Sequence, residues 1–290
     1  MAKTFSISKS DIAGAFDRLP HPVLRLNQIG EVLQNNREVW RLAKSTSLSQ
    51  FVEYLLAHSK MKRLHLALPH RAETLYLWGE VSPYAAASAA KPGGYLCHFT
   101  AMHLHDLTHQ TPATIYANSE QRPQPRPAAR PTQASIDAAF GRPQRLTTNI
   151  CPLWDGRLCM INGKHTGRLG VEARQDANNV TLSVSGLERT LIDIAVRPVY
   201  AGGVSEVLEA YLRAKERVSL NRLAAMLKKM DFVYPYEQAI GFYLERSGVY
   251  ERSRLDLFRT RPFEFDFYLT YAMPKTEYSS RWRLFFPAGM

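Results

Sequence analysis

The stretch 185–203 (SGLERTLIDIAVRPVYAGG) constrains the fold of this chain more than any other, because it sets a helix, a break and a second helix in order. Ser185 can cap a helix over 187–196, in which three apolar residues share one face: Leu187, Leu191 and Ile194. Pro198 disfavours helical geometry at the residue before it, and Gly202-Gly203 breaks the chain again before a second amphipathic helix. The stretch therefore predicts a helix–break–helix hinge in the middle of a domain.

Charged side chains interrupt the apolar pattern of this first helix. Arg189 can reach Asp193 one helical turn later, and Glu188 precedes the arginine. This spacing favours an ion pair on the helix surface, or a buried arginine that ties the helix to a sheet. A contact surface for a partner protein is the alternative that the sequence leaves open.

Length and charge limit the possible partners. The 290 residues suggest two domains, and the formal net charge of +11 favours a polyanionic partner. Cys97, Cys151 and Cys159 form no CxxC pair, so we expect reduced thiols, with neither a disulfide framework nor a zinc site. The sequence shows neither a signal-peptide start nor an apolar run of about 18 residues, so we expect a cytoplasmic protein without a membrane partner.

The first 82 residues predict helices followed by a hairpin. Apolar spacing predicts helices over 9–19, 23–33, 37–44 and 48–58, and after Lys60 the period changes to two around a turn at 69–71. This order is typical of a winged helix-turn-helix domain, with 37–44 as the supporting helix and 48–58 as the recognition helix. A helical bundle with a solvated basic edge and no DNA role is the alternative.

Outward-facing polar residues on the recognition helix can hydrogen-bond base edges in the major groove, and basic residues beside it can meet phosphates. The hairpin tip is the natural wing. The candidate DNA-binding residues are Arg41, Lys44, Ser47, Ser49, Gln50, Tyr54, Lys60, Lys62, Arg63, His70 and Arg71.

Residues 83–290 predict a second, α+β domain in which a sheet precedes helices. The Ala-rich segment 82–90 has little to pack against and is predicted as a linker, followed by a helix over 95–107 and a strand over 114–117. A small antiparallel sheet is predicted from four β-type runs: 145–153, 157–161, 168–173 and 180–184. Helices over 204–216, 219–230, 235–246 and 252–258 follow the hinge, and strands over 263–268 and 282–286 end the chain.

A histidine cluster and a proline-rich segment lie between these elements. His105 and His109 are four apart, as in a zinc-protease helix, but no third ligand follows, so we predict no metal and histidines on a helix surface, one capping a carbonyl. The segment 119–131 is rich in Pro and Arg and predicts an exposed loop. A basic arm that touches nucleic acid backbone is the alternative for this segment.

One pair of carboxylates invites a catalytic interpretation. Glu264 and Asp266 lie two apart on a predicted strand and could hold Mg²⁺. They alternate with Phe263, Phe265 and Phe267, which favours the polar face of a half-buried strand. We therefore predict no catalytic residue, no cofactor and no metal.

The hinge wording LERTLIDIAVRP-x-YAGGV resembles the core signature of the AbiEi family, the antitoxin half of bacterial AbiE-type (type IV) toxin–antitoxin pairs. Other segments also resemble AbiEi sequences, and they follow one another in the same order as in that family: YLCHFTAMHLHDL…QTPATIYAN, VSEVLEAYLRAKERVSLNRLAAMLKKM, YPYEQAIGFYLERSG, FEFDFYLTY and WRLFFPAGM. The N-terminal helices match less well, so the candidate DNA-binding residues there come from spacing alone.

The resemblance implies a bacterial, DNA-binding antitoxin. Its N-terminal winged helix would bind inverted repeats in its own promoter, as two copies on one operator, and repress the operon. Its C-terminal antitoxin domain would counter a nucleotidyltransferase toxin without requiring a stable complex. The catalytic chemistry of such a pair belongs to the toxin. Our candidate antitoxin surface is the basic helix face of Arg213, Lys215, Arg217, Lys228 and Lys229.

Two other functional classes remain open. One is a stand-alone transcriptional repressor whose C-terminal domain senses a ligand or a partner. The other is a metal-dependent nuclease that uses Glu264 and Asp266.

Overall fold

The protein, in a computed structural model that describes residues 9–125 and 130–290, has an α+β fold. Residues 1–8, and 126–129 within the predicted proline-rich loop, lie outside the described residues. Within the described ranges, no helix is long and apolar enough to cross a membrane.

The N-terminal module (residues 9–80) combines helices with a three-stranded sheet. Its helices are α1 (Lys9–Asp17), α2 (Leu26–Asn36) and α3 (Leu48–His58), and its strands are β1 (Val23–Leu24), β2 (Met61–Leu66) and β3 (Glu73–Trp78). The central strand β3 pairs antiparallel with both β1 and β2. The helix predicted at 48–58 and the hairpin after it are confirmed.

Two predicted helices of this module need correction. The run 23–33 begins as β1 and becomes helical only from Leu26. The segment 37–44 is a turn and not a helix, so the helix that precedes α3 is α2.

The physical reason for the turn is a side chain that binds its carbonyls. The Arg37 guanidinium donates to the carbonyl oxygens of Ala43 at 2.7 Å and Thr46 at 3.0 Å. Arg41 has a φ of +54°, outside the right-handed helical region. Trp40, with 2% of its surface exposed, anchors the turn in the core of the module.

Strand β3 of the hairpin is buried on both faces. Tyr76 and Trp78 pack with the helices of the module, whereas Leu75 and Leu77 pack with residues of the larger sheet described below. Leu68, beyond the end of β2, is only 4% exposed and belongs to this second cluster. The N-terminal module therefore shares a hydrophobic core with the rest of the chain.

Polar contacts reinforce this junction. Arg25 Nη1 lies 3.0 Å from Glu73 Oε2, and Lys91 Nζ lies 2.9 Å from Glu73 Oε1. Arg25 Nη2 also donates to the carbonyls of Ala89 and Ala90, each at 2.9 Å. We call Arg25, Glu73 and Lys91 the Glu73 latch, because they join the module to the chain that follows it.

The second sheet has six strands: β4 (Tyr95–Leu96), β5 (Thr114–Asn118), β6 (Ile150–Leu153), β7 (Gly156–Ile161), β8 (Val171–Gln175) and β9 (Thr181–Ser185). Their order is β6-β7-β5-β4-β9-β8. The pairs β5–β7 and β4–β9 are parallel, and the others are antiparallel. The predicted runs are thus strands, but the prediction of a small antiparallel sheet is wrong, because connections that cross over the sheet make it larger and mixed.

Two segments near the start of this sheet also differ from the prediction: the linker and the helix over 95–107. The predicted linker contains helix α4 (Pro83–Ser88), whose Ala85, Ala86 and Ala87 are buried. Small side chains let this helix lie directly on the sheet. The predicted 95–107 helix starts as β4 and continues as helix α5 (His98–Leu104), and helix α6 (Gln133–Phe140) was covered by no prediction.

Four helices pack together in one hydrophobic cluster: α7 (Leu187–Val196), α8 (Val204–Arg213), α9 (Leu220–Met230) and α10 (Tyr236–Arg246). Helix α7 joins this layer to the six-stranded sheet, because Arg189 Nη2 donates to Tyr95 Oη of β4. The predicted break is confirmed as a 3₁₀ helix, Pro198–Ala201, ending at Gly202 and Gly203 with φ of +82° and +97°. The N-cap of α7 is Gly186 and not Ser185, whose buried hydroxyl lies 2.9 Å from Thr190 Oγ1.

A three-stranded sheet ends the chain, with β12 (Leu284–Pro287) between β10 (Phe267–Tyr268) and β11 (Thr276–Ser279). Another 3₁₀ helix, Arg252–Phe258, precedes it. The buried Gln238 amide of α10 donates to the carbonyls of Phe265, Trp282 and Arg283 at 2.8–3.0 Å. One side chain thereby holds α10 against this sheet.

Candidate nucleic-acid interface

Helix α3 begins with a complete capping box. Ser47 Oγ accepts from the Gln50 backbone N–H at 3.2 Å, and Gln50 Oε1 accepts from the Ser47 N–H at 3.0 Å. Two of the residues predicted to read bases therefore also start the helix. Ser49, between them, is exposed.

The two sides of α3 differ as its spacing predicts. Phe51, Val52 and Leu55 are buried in the module core, while Glu53 points to solvent. Tyr54 is half-buried, and its ring centroid lies 5.1 Å from that of His58. The exposed side of the first two turns is thus polar, and it is open to a large partner.

A shallow groove of about 210 Å³ runs beside this exposed side, between α3, the start of α2 and the hairpin. Ser49, Glu53 and Arg63 line it. Arg63 Nη2 lies 2.6 Å from Glu53 Oε1, and its guanidinium carbon lies 5.9 Å from the Tyr76 ring centroid. The structure thus brings two of the predicted residues, Ser49 and Arg63, to one surface.

Strand alternation divides the basic residues of β2 between two faces. Arg63 shares its face with His65, whereas Lys62 lies on the opposite face and pairs with Glu80 at 2.8 Å. His65 is exposed and was not among the predicted residues. The period-two pattern of β2 contains the signal that identifies it.

Lys60 already contacts two residues of the N-terminal module. Its Nζ lies 2.5 Å from Asp17 Oδ1 and 5.3 Å from the Trp78 ring centroid. Hydrogen bonds from Lys60 and Trp78 lower the pKa of the Asp17 carboxyl. This lysine is therefore a weaker candidate for a phosphate contact.

Other predicted basic residues are less engaged. Arg41 and Lys44 are exposed in the turn before α3, and within the described residues neither forms an ion pair with a carboxylate. His70 and Arg71 are exposed at the hairpin tip, where Arg71 Nε lies 3.6 Å from Glu73 Oε1. The neighbouring Leu68 is buried against the larger sheet, so this tip is docked and does not project freely.

The candidate antitoxin surface lies on α8, α9 and the loop between them. Arg213 pairs with Glu209 at 2.8 Å, Lys215 pairs with Glu216 at 3.5 Å, and Arg217 donates to the His105 carbonyl at 2.6 Å. Lys228 and Lys229 are exposed in the last turn of α9. The five residues thus follow two consecutive elements, but three of them already have partners.

The charged residues of the hinge helix are buried. Arg189, 3% exposed, donates to Asp193 Oδ1 at 2.9 Å, which confirms the predicted pair. It also donates to Tyr95 Oη and Thr166 Oγ1, each at 2.9 Å, and to the Leu169 carbonyl at 2.6 Å. The arginine ties α7 to β4 and to the chain before β8, so it has little surface to offer a partner protein.

The histidine cluster does not form a metal site: in 9–125 and 130–290 no group of three His, Cys, Asp or Glu side chains is placed to hold a metal ion. A ring nitrogen of His105 lies 2.7 Å from the Ser185 carbonyl oxygen, which confirms a histidine at a carbonyl. His98 is buried, contrary to the predicted surface position, and burial lowers its pKa to about 3.

The carboxylate pair is not preorganised for catalysis. Asp266 pairs with Arg283 at 2.9 Å and accepts from the Tyr278 hydroxyl at 2.6 Å. The hydrogen bond from Arg283 is the main cause that lowers the pKa of the Asp266 carboxyl. Glu264 is exposed. An arginine already neutralises the carboxylate that a metal would need.

Comparisons with known proteins identify the fold alone. No protein-family model matches the chain, and no curated protein matches it. The chain is similar to the solved structure of the RV2827C protein from Mycobacterium tuberculosis, with a TM-score of 0.55 and 18% sequence identity. The match covers 96% of this chain and 90% of the other. Nearly the whole fold is therefore shared with that protein.

Proposed function

We propose that residues 9–80 form a winged helix-turn-helix that binds double-stranded DNA, with α2 as its supporting helix and α3 as its recognition helix. The observation that carries the proposal is the exposed polar side of the first two turns of α3, with Ser49 and Arg63 on one groove. Such a helix fits the major groove, which is about 12 Å wide. Arg41 and Lys44 lie just before the helix, where they can meet phosphates.

The Glu53–Arg63 pair sets a condition on this binding. A carboxylate in the middle of the exposed side repels phosphate and neutralises the nearest arginine. On DNA, Arg63 would exchange Glu53 for a phosphate or a base edge. Surface ion pairs contribute only about 0–1 kcal/mol, so the exchange costs little.

We further propose that the chain is the antitoxin of a type IV pair of the AbiE kind, which represses its own operon in a bacterial cytoplasm and counters a nucleotidyltransferase toxin. This proposal rests on the hinge wording and on the ordered segments that resemble the AbiEi family. In the proposal, inverted repeats place two copies on one operator. The basic residues of α8 and α9 are the proposed antitoxin surface.

The alternatives make different predictions. A stand-alone repressor predicts that no nucleotidyltransferase gene adjoins this one, and that co-expression with such a toxin does not restore growth. A nuclease predicts DNA cleavage that EDTA and Asp266→Ala both abolish. The antitoxin proposal expects growth rescue and no cleavage.

The DNA-binding half can be tested by gel shift of the purified protein on its own upstream DNA over a salt series. We expect sequence-specific binding that Arg41→Gln/Lys44→Gln weakens, with a slope of log Kobs against log salt reduced by about 1.8 if both residues contact phosphate. The matched control, Lys228→Gln/Lys229→Gln, removes the same charge from α9 and should leave operator binding unchanged.

A second variant tests the role of α3 itself. Glu53→Gln removes the carboxylate that pairs with Arg63, so we expect tighter operator binding and a steeper salt dependence. If Glu53→Gln and the Arg41/Lys44 variant both bind upstream DNA as the wild type does, α3 does not face DNA and the winged-helix proposal fails.

A further inference from the structure

A second basic surface lies far along the chain from α3. The segment 252–261 carries four exposed arginines: Arg252, Arg254, Arg259 and Arg261. We call them the arginine patch. Leu255 and Phe258 are buried three residues apart in the 3₁₀ helix, which turns the neighbouring side chains outward.

The charge of this patch is compensated only in part: Glu251 directly precedes it, and Arg261 interacts electrostatically with the half-buried Glu237 of α10. Asp256 is the only carboxylate within 252–261, and it pairs with Arg281 at 3.3 Å. Within the described residues, none of the four arginines forms an ion pair with a carboxylate. Arg259 instead lies over the Trp282 ring, with its guanidinium carbon 6.0 Å from the centroid. Four cationic groups therefore face solvent along one short segment.

The six-stranded sheet separates the patch from the proposed DNA-reading helix. Leu96, Met160 and Val184 point from the sheet into the cluster that contains the β2–β3 hairpin. Leu255 and Phe258, beneath the patch, belong to the cluster of α7–α10 on the other side. The two basic surfaces therefore lie over different hydrophobic clusters of the fold.

The composition of the patch favours nucleic acid over an acidic protein. Protein interfaces centre on a well-packed core depleted of charge, and Leu257, 37% exposed, is the one large apolar side chain that stands out here. Interfaces with nucleic acid are more polar and much more positive. Arginine also binds phosphate bidentately, through the planar fork of its guanidinium.

We propose that the arginine patch is a second nucleic-acid contact, which binds the phosphate backbone of DNA or RNA without reading sequence. The proposal goes beyond the winged-helix function and does not depend on it. It predicts that the protein can hold a nucleic acid on the side of the sheet remote from α3.

The test uses the full chain in a background that silences the first surface, Arg41→Gln/Lys44→Gln/Arg63→Gln. Binding to a 25-bp duplex of scrambled sequence and to a 25-nucleotide single-stranded RNA is measured by fluorescence anisotropy between 50 and 200 mM salt. Changing all four patch arginines to Gln should lower the salt slope by about 3.6 on duplex and about 2.8 on single strands, if each contacts one phosphate. The ratio of the duplex affinity at 50 mM salt to that at 200 mM salt should then be about 150-fold smaller than in the background protein. A loss confined to one of the two nucleic acids would identify that one as the partner of the patch.

A matched control removes the same charge elsewhere: Arg142, Arg145, Arg157 and Arg174, all exposed, are changed to Gln. We expect this control to retain most of the binding, and thermal unfolding to show that both quadruple variants fold. Equal losses in the two variants would mean that net charge alone drives binding and would overturn the proposal. It would also be overturned if the patch variant bound both nucleic acids normally but lost binding to poly-glutamate, since the patch would then serve an acidic protein. Operator binding is measured on other variants, so the two proposals can fail separately.

Discussion

The buried arginine of α7 offers the sharpest test of how this fold is held together. Arg189→Met removes the guanidinium but keeps a long apolar side chain of similar reach. Its hydroxyl partners retain other bonds: Tyr95 Oη still contacts Asn118 and Glu120, and Thr166 Oγ1 still contacts Glu120. The Asp193 carboxylate and the Leu169 carbonyl lose the only side-chain donor that the described structure gives them.

The expected loss in the free energy of unfolding comes from these two acceptors, which the substitution leaves without their side-chain donor. Breaking a buried ion pair on one side typically costs about 3–5 kcal/mol, because the remaining charge is buried without compensation. Asp193 is 8% exposed, and burial raises the pKa of its carboxyl even beside the arginine. We therefore expect Arg189→Met to lower the free energy of unfolding by about 4 kcal/mol, of which the Leu169 carbonyl accounts for about 1.

Urea unfolding followed by tryptophan fluorescence measures this loss, and a second variant isolates its cause. In Arg189→Met/Asp193→Leu both charges are gone, so we expect at least half of the lost stability to return. The half-exposed pair of Arg213 and Glu209 on α8 is the control, and Arg213→Met should cost no more than about 1 kcal/mol. The reasoning is refuted if Arg189→Met costs less than 1 kcal/mol, or if removing Asp193 as well only adds to the damage.

Three further perturbations test other parts of the structure. Burial raises the pKa of the Glu73 carboxyl, but hydrogen bonds from the two cations of its latch outweigh this and hold the pKa below 4.5. The stability that Glu73 contributes is therefore complete above about pH 4.5 and lost as the pH falls through the folded value, so urea unfolding of wild type and Glu73→Gln should differ at neutral pH and converge in acid. Gly241→Ala would place a methyl 2.0 Å from the Trp282 ring, so we expect a loss of about 3 kcal/mol and a lower Tm in thermal unfolding; an unchanged Tm would contradict this packing. Ser47→Ala breaks the cap of α3 and should cost about 1 kcal/mol in urea unfolding, against no more than about 0.5 for the uncapped neighbour Ser49→Ala.

Elements with both a clear apolar period and a clear boundary could be predicted from the sequence. The sequence predicts helix α3 with its observed bounds, because the polar run 45–47 precedes it and a five-residue apolar stripe at helical spacing faces one core. The hinge was predicted for the same reason: Pro198 and the glycines at 202 and 203 leave the backbone little choice. In such segments the local sequence determines the secondary structure, and the tertiary contacts agree with it.

Segments decided by distant contacts could not be predicted. The turn at 37–44 has helical spacing, but the Arg37 side chain satisfies carbonyls that a helix would have used. The alanines of α4 form no amphipathic stripe, since their partner is a sheet assembled from later residues. Strand order shows the same limit: β4 has two residues and pairs with β5 and β9, and no local pattern marks it.

The candidate sites also combine features that local spacing predicts with features that depend on distant contacts. Spacing identified the polar side of α3, but not the fact that Glu53 neutralises Arg63 there, because that pair joins a helix to a strand ten residues later. It also missed the arginine patch, since a run of charge on a short 3₁₀ helix looks like any solvated surface until the fold shows which charges lack partners.

The hinge sequence that resembles the AbiEi family lies in the core of the protein, and this position limits what the resemblance says about partners. In LERTLIDIAV every residue from Glu188 to Ala195 is buried, including the three charged ones. Buried residues are constrained by packing, so a shared sequence there points to a shared core and not to a shared partner. Partners are chosen by exposed residues, and these lie elsewhere, on α3, on α8 and α9, and on the arginine patch. Substitutions at these three surfaces should therefore separate the proposed DNA binding, the proposed toxin neutralisation and the proposed backbone binding without unfolding the protein. A destabilising substitution in α7 should abolish all three together.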